Sequence, residues 1–241
     1  MVIYYLSSEN FFPDPFRDDV DDLLAIGGDL SPERLITAYQ KGIFPWYSEE
    51  SPILWWSPNP RLILCPSQLH VARRLQREIK KQRFGVTINK DFFSVITSCA
   101  QVARSGTNGT WIVPEMIEAY TRLHELGFAH SIESWYHGEL VGGLYGVAIG
   151  KIFFGESMFF LMSNASKIAF VLFVRALRDY GFHLIDCQQT TQHLLRFGAK
   201  EVSRKEFLIR MDEALQEGNV QSSFWRPRSL TDGARSGSLI Y

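Results

Sequence analysis

Side chains able to do chemistry meet a buried framework in Phe182-His183-Leu184-Ile185-Asp186-Cys187-Gln188. Leu184 and Ile185 form the short apolar run of a buried strand, and polarity changes abruptly after them. In α/β sheets, ligands and chemistry collect at the C-terminal ends of strands. Strand alternation puts Asp186 and Gln188 on one face and Cys187 on the other. A carboxylate beside an amide can orient a nucleophile. Gln188 exchanges no protons usefully and can only orient. Asp186, with an ordinary pKa of about 3.9, is a poor proton acceptor unless burial raises it. A plainer role fits the same stretch, a strand-end Asp capping neighbouring backbone. Covalent catalysis is disfavoured. Ser157 lacks the G-x-S-x-G setting of a nucleophile elbow, and Cys187 is expected to face away from Asp186.

The elements around this stretch follow from its flanks. A helix from Asn164 to Tyr180 closes on Gly181, and the strand follows it. Before the helix, Ser131 to Phe154 reads as β-hairpins, with turns at His137-Gly138 and Gly150-Lys151. Strand, strand, helix, strand resembles the central unit of the acetyltransferase-type acyl-transfer fold. Coenzyme A enzymes of that fold hold pyrophosphate on a Gly-rich loop before the helix. The equivalent stretch here, Ser157 to Asn164, has no glycine, which disfavours a coenzyme A donor. Upstream, the pattern predicts a strand at Val86-Thr87-Ile88 and helices over Lys90–Ala103 and Pro114–Leu126. Downstream it predicts a strand at Glu201-Val202 and a helix from Arg204 to Leu215, capped by Ser203.

Ser67 to Arg83 reads as an amphipathic helix with Val71, Leu75 and Ile79 as the buried stripe. Arg73, Arg77, Lys80 and Lys81 fall on the other side, with Arg74 at the margin and only Glu78 diluting the charge. Such a stripe is commonly a solvated face. In a chain of net charge −1 it is locally strong, and it suits a phosphate backbone held without base reading.

The 241 residues suffice for one large or two modest domains, and 46% hydrophobic with 21% charged is ordinary for a soluble protein. No apolar run approaches the roughly 20 residues needed to cross a bilayer. The N-terminus lacks a basic region and a small-residue cleavage site, so no secretory signal is expected. Three cysteines far apart fit neither a disulfide framework nor paired metal-ligand spacing, and a cytoplasmic location is expected.

The first segment is rich in turns and aromatics. Ser31-Pro32 opens a helix that Gly42 ends. Gly42-Ile43-Phe44-Pro45-Trp46-Tyr47 and Leu54-Trp55-Trp56-Ser57-Pro58-Asn59-Pro60 then place three Trp within eleven residues, braced by prolines. Rings held this way can stack on a nucleobase, or serve as mortar between two domains. These residues carry a resemblance to the leucyl/phenylalanyl-tRNA–protein transferases. Gly27-Gly28-Asp29-Leu30-Ser31-Pro32 shares it upstream. Gly155-Glu156-Ser157-Met158-Phe159, Asn164-Ala165-Ser166-Lys167, Leu184-Ile185-Asp186-Cys187-Gln188, His193-Leu194 and Gly198-Ala199 share it downstream. It runs in order from about residue 20 to Arg228.

The resemblance implies an aminoacyltransferase. It would move Leu or Phe, with Met a third candidate, from aminoacyl-tRNA onto proteins that begin with Arg or Lys, marking them for degradation. The donor ester is already activated, so no ATP, organic cofactor or metal is expected. Trp46 and Trp111, in the matching Phe-Pro-Trp-Tyr and Gly-Thr-Trp-Ile, would sandwich the terminal adenosine. Arg73, Arg77, Lys80 and Lys81 would hold the acceptor stem. Asp186 and Gln188 would orient the attacking amine, and Glu156 would hold the α-ammonium of the transferred residue. Phe153, Met158, Phe170, Phe173 and Ile185 would line a pocket for a side chain unbranched at Cβ. Phe160-Leu161-Met162 departs from the polar or basic residues expected there and leaves a tRNA contact by that loop open. His193 falls in a matching motif but carries little signal of its own.

The expected fold is α/β of the α+β kind. A small N-terminal aromatic domain (1–62) precedes an acetyltransferase-like mixed-sheet catalytic domain (63–228) and a flexible tail (229–241). A monomer without membrane contact is expected. Two other readings stand beside this one: an acyltransferase with another small activated donor, and a non-catalytic binder of basic N-termini or RNA ends.

Overall fold

In the computed structural model, which describes residues 3–17, 19–101, 112–218 and 223–231, glycine and proline break the chain between short elements. The first are β1 (Tyr4–Leu6), β2 (Leu23–Gly27), α1 (Pro32–Gln40), β3 (Phe44–Pro45) and β4 (Leu54–Trp56). Pro32 opens α1 where a missing N–H costs nothing. Ser31 precedes it without a side-chain cap, and Asp29 Oδ1 instead accepts the Ser31 N–H at 2.8 Å. The four strands form one sheet in the order β1-β2-β4-β3.

The chain continues through β5 (Arg61–Leu64), α2 (Arg73–Lys80), β6 (Gly85–Ile88), α3 (Phe92–Gln101), α4 (Pro114–Glu125) and β7 (Ala129–Tyr136). Then come β8 (Glu139–Ile149), β9 (Ile152–Phe160), α5 (Ala165–Asp179), β10 (Leu184–Gln188) and α6 (Gln192–Leu195). β11 (Lys200–Val202), α7 (Arg204–Gln216) and β12 (Arg228–Ser229) complete it. Among the described residues the second sheet has the order β11-β5-β10-β9-β8-β7-β6-β12. Its pairings are antiparallel except β9 with β10, which run parallel and are joined through α5.

This is the mixed α/β fold expected, with a small N-terminal unit. The core does not divide at that unit. Leu24, Ala25 and Trp55 of the small sheet share one buried cluster with Tyr39, Tyr120, Phe154 and Phe207. A second cluster, on the α5 side, holds Phe153, Phe170, Phe173 and Ile185, with Leu75 of α2.

Several boundaries differ from those the sequence pattern predicts. The amphipathic helix is shorter than Ser67–Arg83, because the chain before α2 is tied elsewhere. His70 donates its N–H to the Phe197 carbonyl at 2.8 Å, and Gly198 packs so closely on Gln68 that a Cβ would lie 2.7 Å from its carbonyl. β9 runs on to Phe160, so Glu156 lies inside a strand. Arg61 and Leu62, expected in the N-terminal domain, open a strand of the large sheet. At the C-terminus, Ser229 pairs with Thr87 and Leu230 donates to the Val86 carbonyl at 2.7 Å, so the start of the expected tail is built onto the sheet edge. Residues 232–241 lie outside those described.

Candidate active site

Parallel pairing of β9 with β10 stops at Phe154 and Asp186. Beyond that point the strands part, and a cavity of about 400 Å³ opens between them. Two irregularities shape it. Tyr145 of β8 pairs with Ser157 and Gly146 pairs with Gly155, so Glu156 is an extra residue in β9. On β10, Asp186 pairs with Ile63 and Gln188 with Leu62 of β5, so Cys187 is extra there. Such bulges re-aim side chains. Gly146 is required by the first one, since a Cβ there would meet the Phe154 carbonyl at 2.1 Å. Gln188 adopts φ +59, the left-handed region.

The second bulge corrects the alternation expected from the sequence. Asp186, Cys187 and Gln188 all line the cavity. Burial pushes the Cys187 thiol upward, so it stays protonated. Asp186 is also less available than expected. It is fully buried, and Arg61 donates Nε–H to its Oδ1 at 2.8 Å and Nη2–H to its Oδ2 at 2.6 Å. Its Oδ1 accepts the Gln188 backbone N–H at 2.8 Å as well. The Arg61 guanidinium lies over the rings of Phe44 and Phe207, at 4.8 and 4.5 Å from their centroids. Asp186 therefore anchors Gln188, the positive-φ residue two positions on, and is paired with Arg61.

Gln188 donates its side-chain N–H to Glu156 Oε1 at 2.8 Å. Tyr120 donates its O–H to Glu156 Oε2 at 3.2 Å, and Tyr39 bonds the Tyr120 hydroxyl in turn. Burial pushes Glu156 up to about 7, and the Asp186 charge adds to this against the hydrogen bonds from Tyr39, Tyr120 and Gln188. A carboxyl group that titrates near neutrality thus stands at the cavity wall.

Of the expected pocket residues, Phe153, Met158, Phe170 and Ile185 line the cavity. Phe173 does not. It packs behind Phe153, ring centroids 4.8 Å apart, in the core. Trp46 is 36% exposed and lines the same cavity. Trp56 braces it, donating its indole N–H to the Trp46 carbonyl at 2.7 Å. Trp55 is buried, its indole N–H donated to the Gly27 carbonyl at 2.9 Å and its ring edge-on to Phe12, both in the N-terminal segment. Trp111 lies outside the described residues. His193 lines the cavity, edge-on to Phe197, and burial holds it below the usual imidazole range.

Arg73, Arg77, Lys80 and Lys81 are exposed on and just after α2, and none of them lines the cavity. Lys81 pairs with Glu78 at 2.8 Å. Sequence reasoning misses Arg61, Tyr39 and Tyr120. Arg61 meets Asp186 across 125 residues of chain, Tyr39 meets Tyr120 across 81, and Tyr120 meets Glu156 across 36. Only the Arg before Leu-Ile-Leu hints at a buried charge.

The site is thus an open wedge between parallel strands that sets the Glu156–Gln188 carboxyl–amide pair beside the apolar side chains of Phe153, Met158, Phe170 and Ile185. Family comparison gives the specific assignment. The family described as leucyl/phenylalanyl-tRNA protein transferase matches residues 63–212, and the N-terminal domain of that family matches residues 28–59. Curated relatives named leucyl/phenylalanyl-tRNA–protein transferase include one from Solidesulfovibrio magneticus, 55% identical and covering 95% of this chain and 93% of its own length. Others are from Maridesulfovibrio salexigens, 57% identical (93% and 94%), and Anaeromyxobacter sp., 58% identical (92% and 94%). The chain belongs to this family and is an aminoacyltransferase. Among solved structures, a GCN5-related N-acetyltransferase from Kribbella flavida is similar at TM-score 0.38 and 10% identity, covering 71% of this chain and 61% of that one.

Proposed function

We propose that the protein moves Leu or Phe from the 3′ end of an aminoacyl-tRNA to the α-amine of polypeptides beginning with Arg or Lys, marking them for degradation in the cytoplasm. The observation that carries this is the apolar cavity of about 400 Å³ set directly against Glu156 and Gln188. Its walls of Phe153, Met158, Phe170 and Ile185 suit a flexible or flat apolar side chain, and the aminoacyl ester then lies beside the polar pair. Trp46 at the mouth, with Trp111, stacks the terminal adenosine, and the exposed cations of α2 hold the acceptor-stem phosphates. The protein works as a monomer, with the N-terminal segment and the large sheet both contributing to the site.

In this reading Glu156, as the carboxylate, pairs with the α-ammonium of the bound Leu or Phe. Gln188, its N–H engaged by Glu156, offers its amide oxygen to the attacking amine. That amine has an ordinary pKa near 8, so a useful fraction is neutral at physiological pH. Its nitrogen adds to the ester carbonyl, the ester C–O bond breaks, and the proton lost by the amine ends on the departing ribose oxygen. The protein supplies position and charge placement rather than a covalent intermediate. Asp186 keeps Gln188 in place and does not touch the amine.

The test offers the protein radiolabelled Leu-tRNA, Phe-tRNA or acetyl-CoA together with peptides beginning with Arg, Lys, Ala or Asp. Label passing from the two tRNAs into the Arg and Lys peptides alone is expected. Label from acetyl-CoA, or equal labelling of all four peptides, contradicts the proposal.

A further inference from the structure

Transfer as described uses Glu156 and Gln188, yet the hydrogen-bond line that ends on Glu156 begins much farther back. Tyr39 stands on α1, in the N-terminal unit, and Tyr120 stands on α4; both are buried. Tyr120 gives its single O–H to Glu156 Oε2, so the proton in its contact with Tyr39 comes from Tyr39. Donation therefore runs from Tyr39 through Tyr120 to Glu156, Tyr39 also favours the carboxylate directly, and Gln188 donates to the other carboxyl oxygen. Burial holds both phenols far above their ordinary pKa, so they remain donors at any working pH.

We propose that Tyr39 and Tyr120 are positioning residues for the transfer reaction: the small N-terminal unit, through these two phenols, sets the orientation and the charge of the Glu156 carboxylate. The proposal rests on the reading of the site given above. The groups facing Glu156 are Tyr39 from α1, Tyr120 from α4, Tyr145 from β8, and Asp186 and Gln188 from β10, with Arg61 of β5 behind Asp186. Of these, Asp186 and burial favour the neutral acid, whereas Tyr39, Tyr120 and Gln188 favour the carboxylate. A hydrogen bond to a charged acceptor is worth more than one between neutral groups, so removing a phenol O–H weakens the carboxylate form selectively. Both rings have packing roles that Phe preserves: Tyr39 lies against Phe154 at 5.1 Å, and Tyr120 lies edge-on to Tyr145 at 5.8 Å.

The experiment uses the full chain and its Tyr39→Phe, Tyr120→Phe and double variants. The Glu156 titration is read by NMR with ¹³C-labelled glutamate carboxyls, its resonance assigned by its disappearance in Glu156→Gln. Transfer from Phe-tRNA and the tRNA Kd are measured beside it. Each single variant is expected to move the Glu156 titration to higher pH. Each should also lower kcat by about tenfold, the size of one charge-assisted hydrogen bond, with Kd within about twofold. The double variant should fall by less than the product of the singles, since the two phenols bond each other and serve the same carboxylate. An unmoved Glu156 titration overturns the proposal, whatever happens to Tm or activity. Absent transfer by the wild type would instead overturn the reading of the reaction, and the titration would still decide the role of the phenols.

Discussion

Glu156 is the carboxyl group whose environment matters most. Its pKa lies above its ordinary 4.5, at about 7, so folding binds a proton there. The stabilisation this gives is complete below the ordinary value and is lost as pH rises through about 7. Glu156→Gln stays neutral, so its Tm is expected to gain on the wild type between pH 5 and pH 8. A Tm difference independent of pH would mean that Glu156 does not titrate between pH 5 and pH 8 and would contradict this account. Asp186 carries the opposite lesson. With Arg61 it forms a buried pair held by two hydrogen bonds, and breaking such a pair leaves a charge uncompensated in the core. Arg61→Met should cost about 3–5 kcal/mol in urea unfolding, and adding Asp186→Asn should restore part of it. Simple additivity of the two changes would show that the pair does not interact.

Among the elements, α2 is legible in the sequence as a basic helix, though the periodicity overstates its length, and its charges make a separate prediction. Replacing Arg73 and Arg77 by Ala should weaken Phe-tRNA binding. The slope of log affinity against log salt should become shallower by roughly 0.7–0.9 for each phosphate no longer held. Use of an aminoacyl-adenosine donor should barely change. Equal impairment with both donors would make the helix a purely structural element. The strands divide the legible from the illegible. Leu184-Ile185, Gly181 and the Ser203 cap declare β10, the end of α5 and the start of α7 through local chemistry, and Ser203 does accept the Glu206 N–H at 3.1 Å. The bulges at Glu156 and Cys187 break the period-2 rule, because an extra residue in one strand is set by its partner strand. Gly146, opposite the first bulge, is the local trace of it. The roles of Arg61 and Tyr39 are illegible for the same reason, since their partners lie far along the chain.

Across the whole molecule, the N-terminal unit is wired into the site as well as packed against it. Arg204 of α7 donates to the carbonyls of Val20, Asp21 and Ser57, and Trp55, Tyr39 and Phe44 share one core with the large sheet. Trp46 from that unit and Met158, Ile185 and Gln188 from the large sheet then border one cavity. No helix among the described residues is long and apolar enough to cross a membrane. The wedge between β9 and β10 is proposed to receive the aminoacyl side chain, and the function stands or falls on that placement. A direct test charges tRNA with p-azidophenylalanine, irradiates its complex with the protein, and maps the cross-linked peptides by mass spectrometry. Cross-links at Phe153, Met158, Phe170 or Ile185 that an excess of Phe-tRNA abolishes are expected. Cross-links confined to other surfaces, such as the cleft of Asn89, His130 and Trp225, would contradict it.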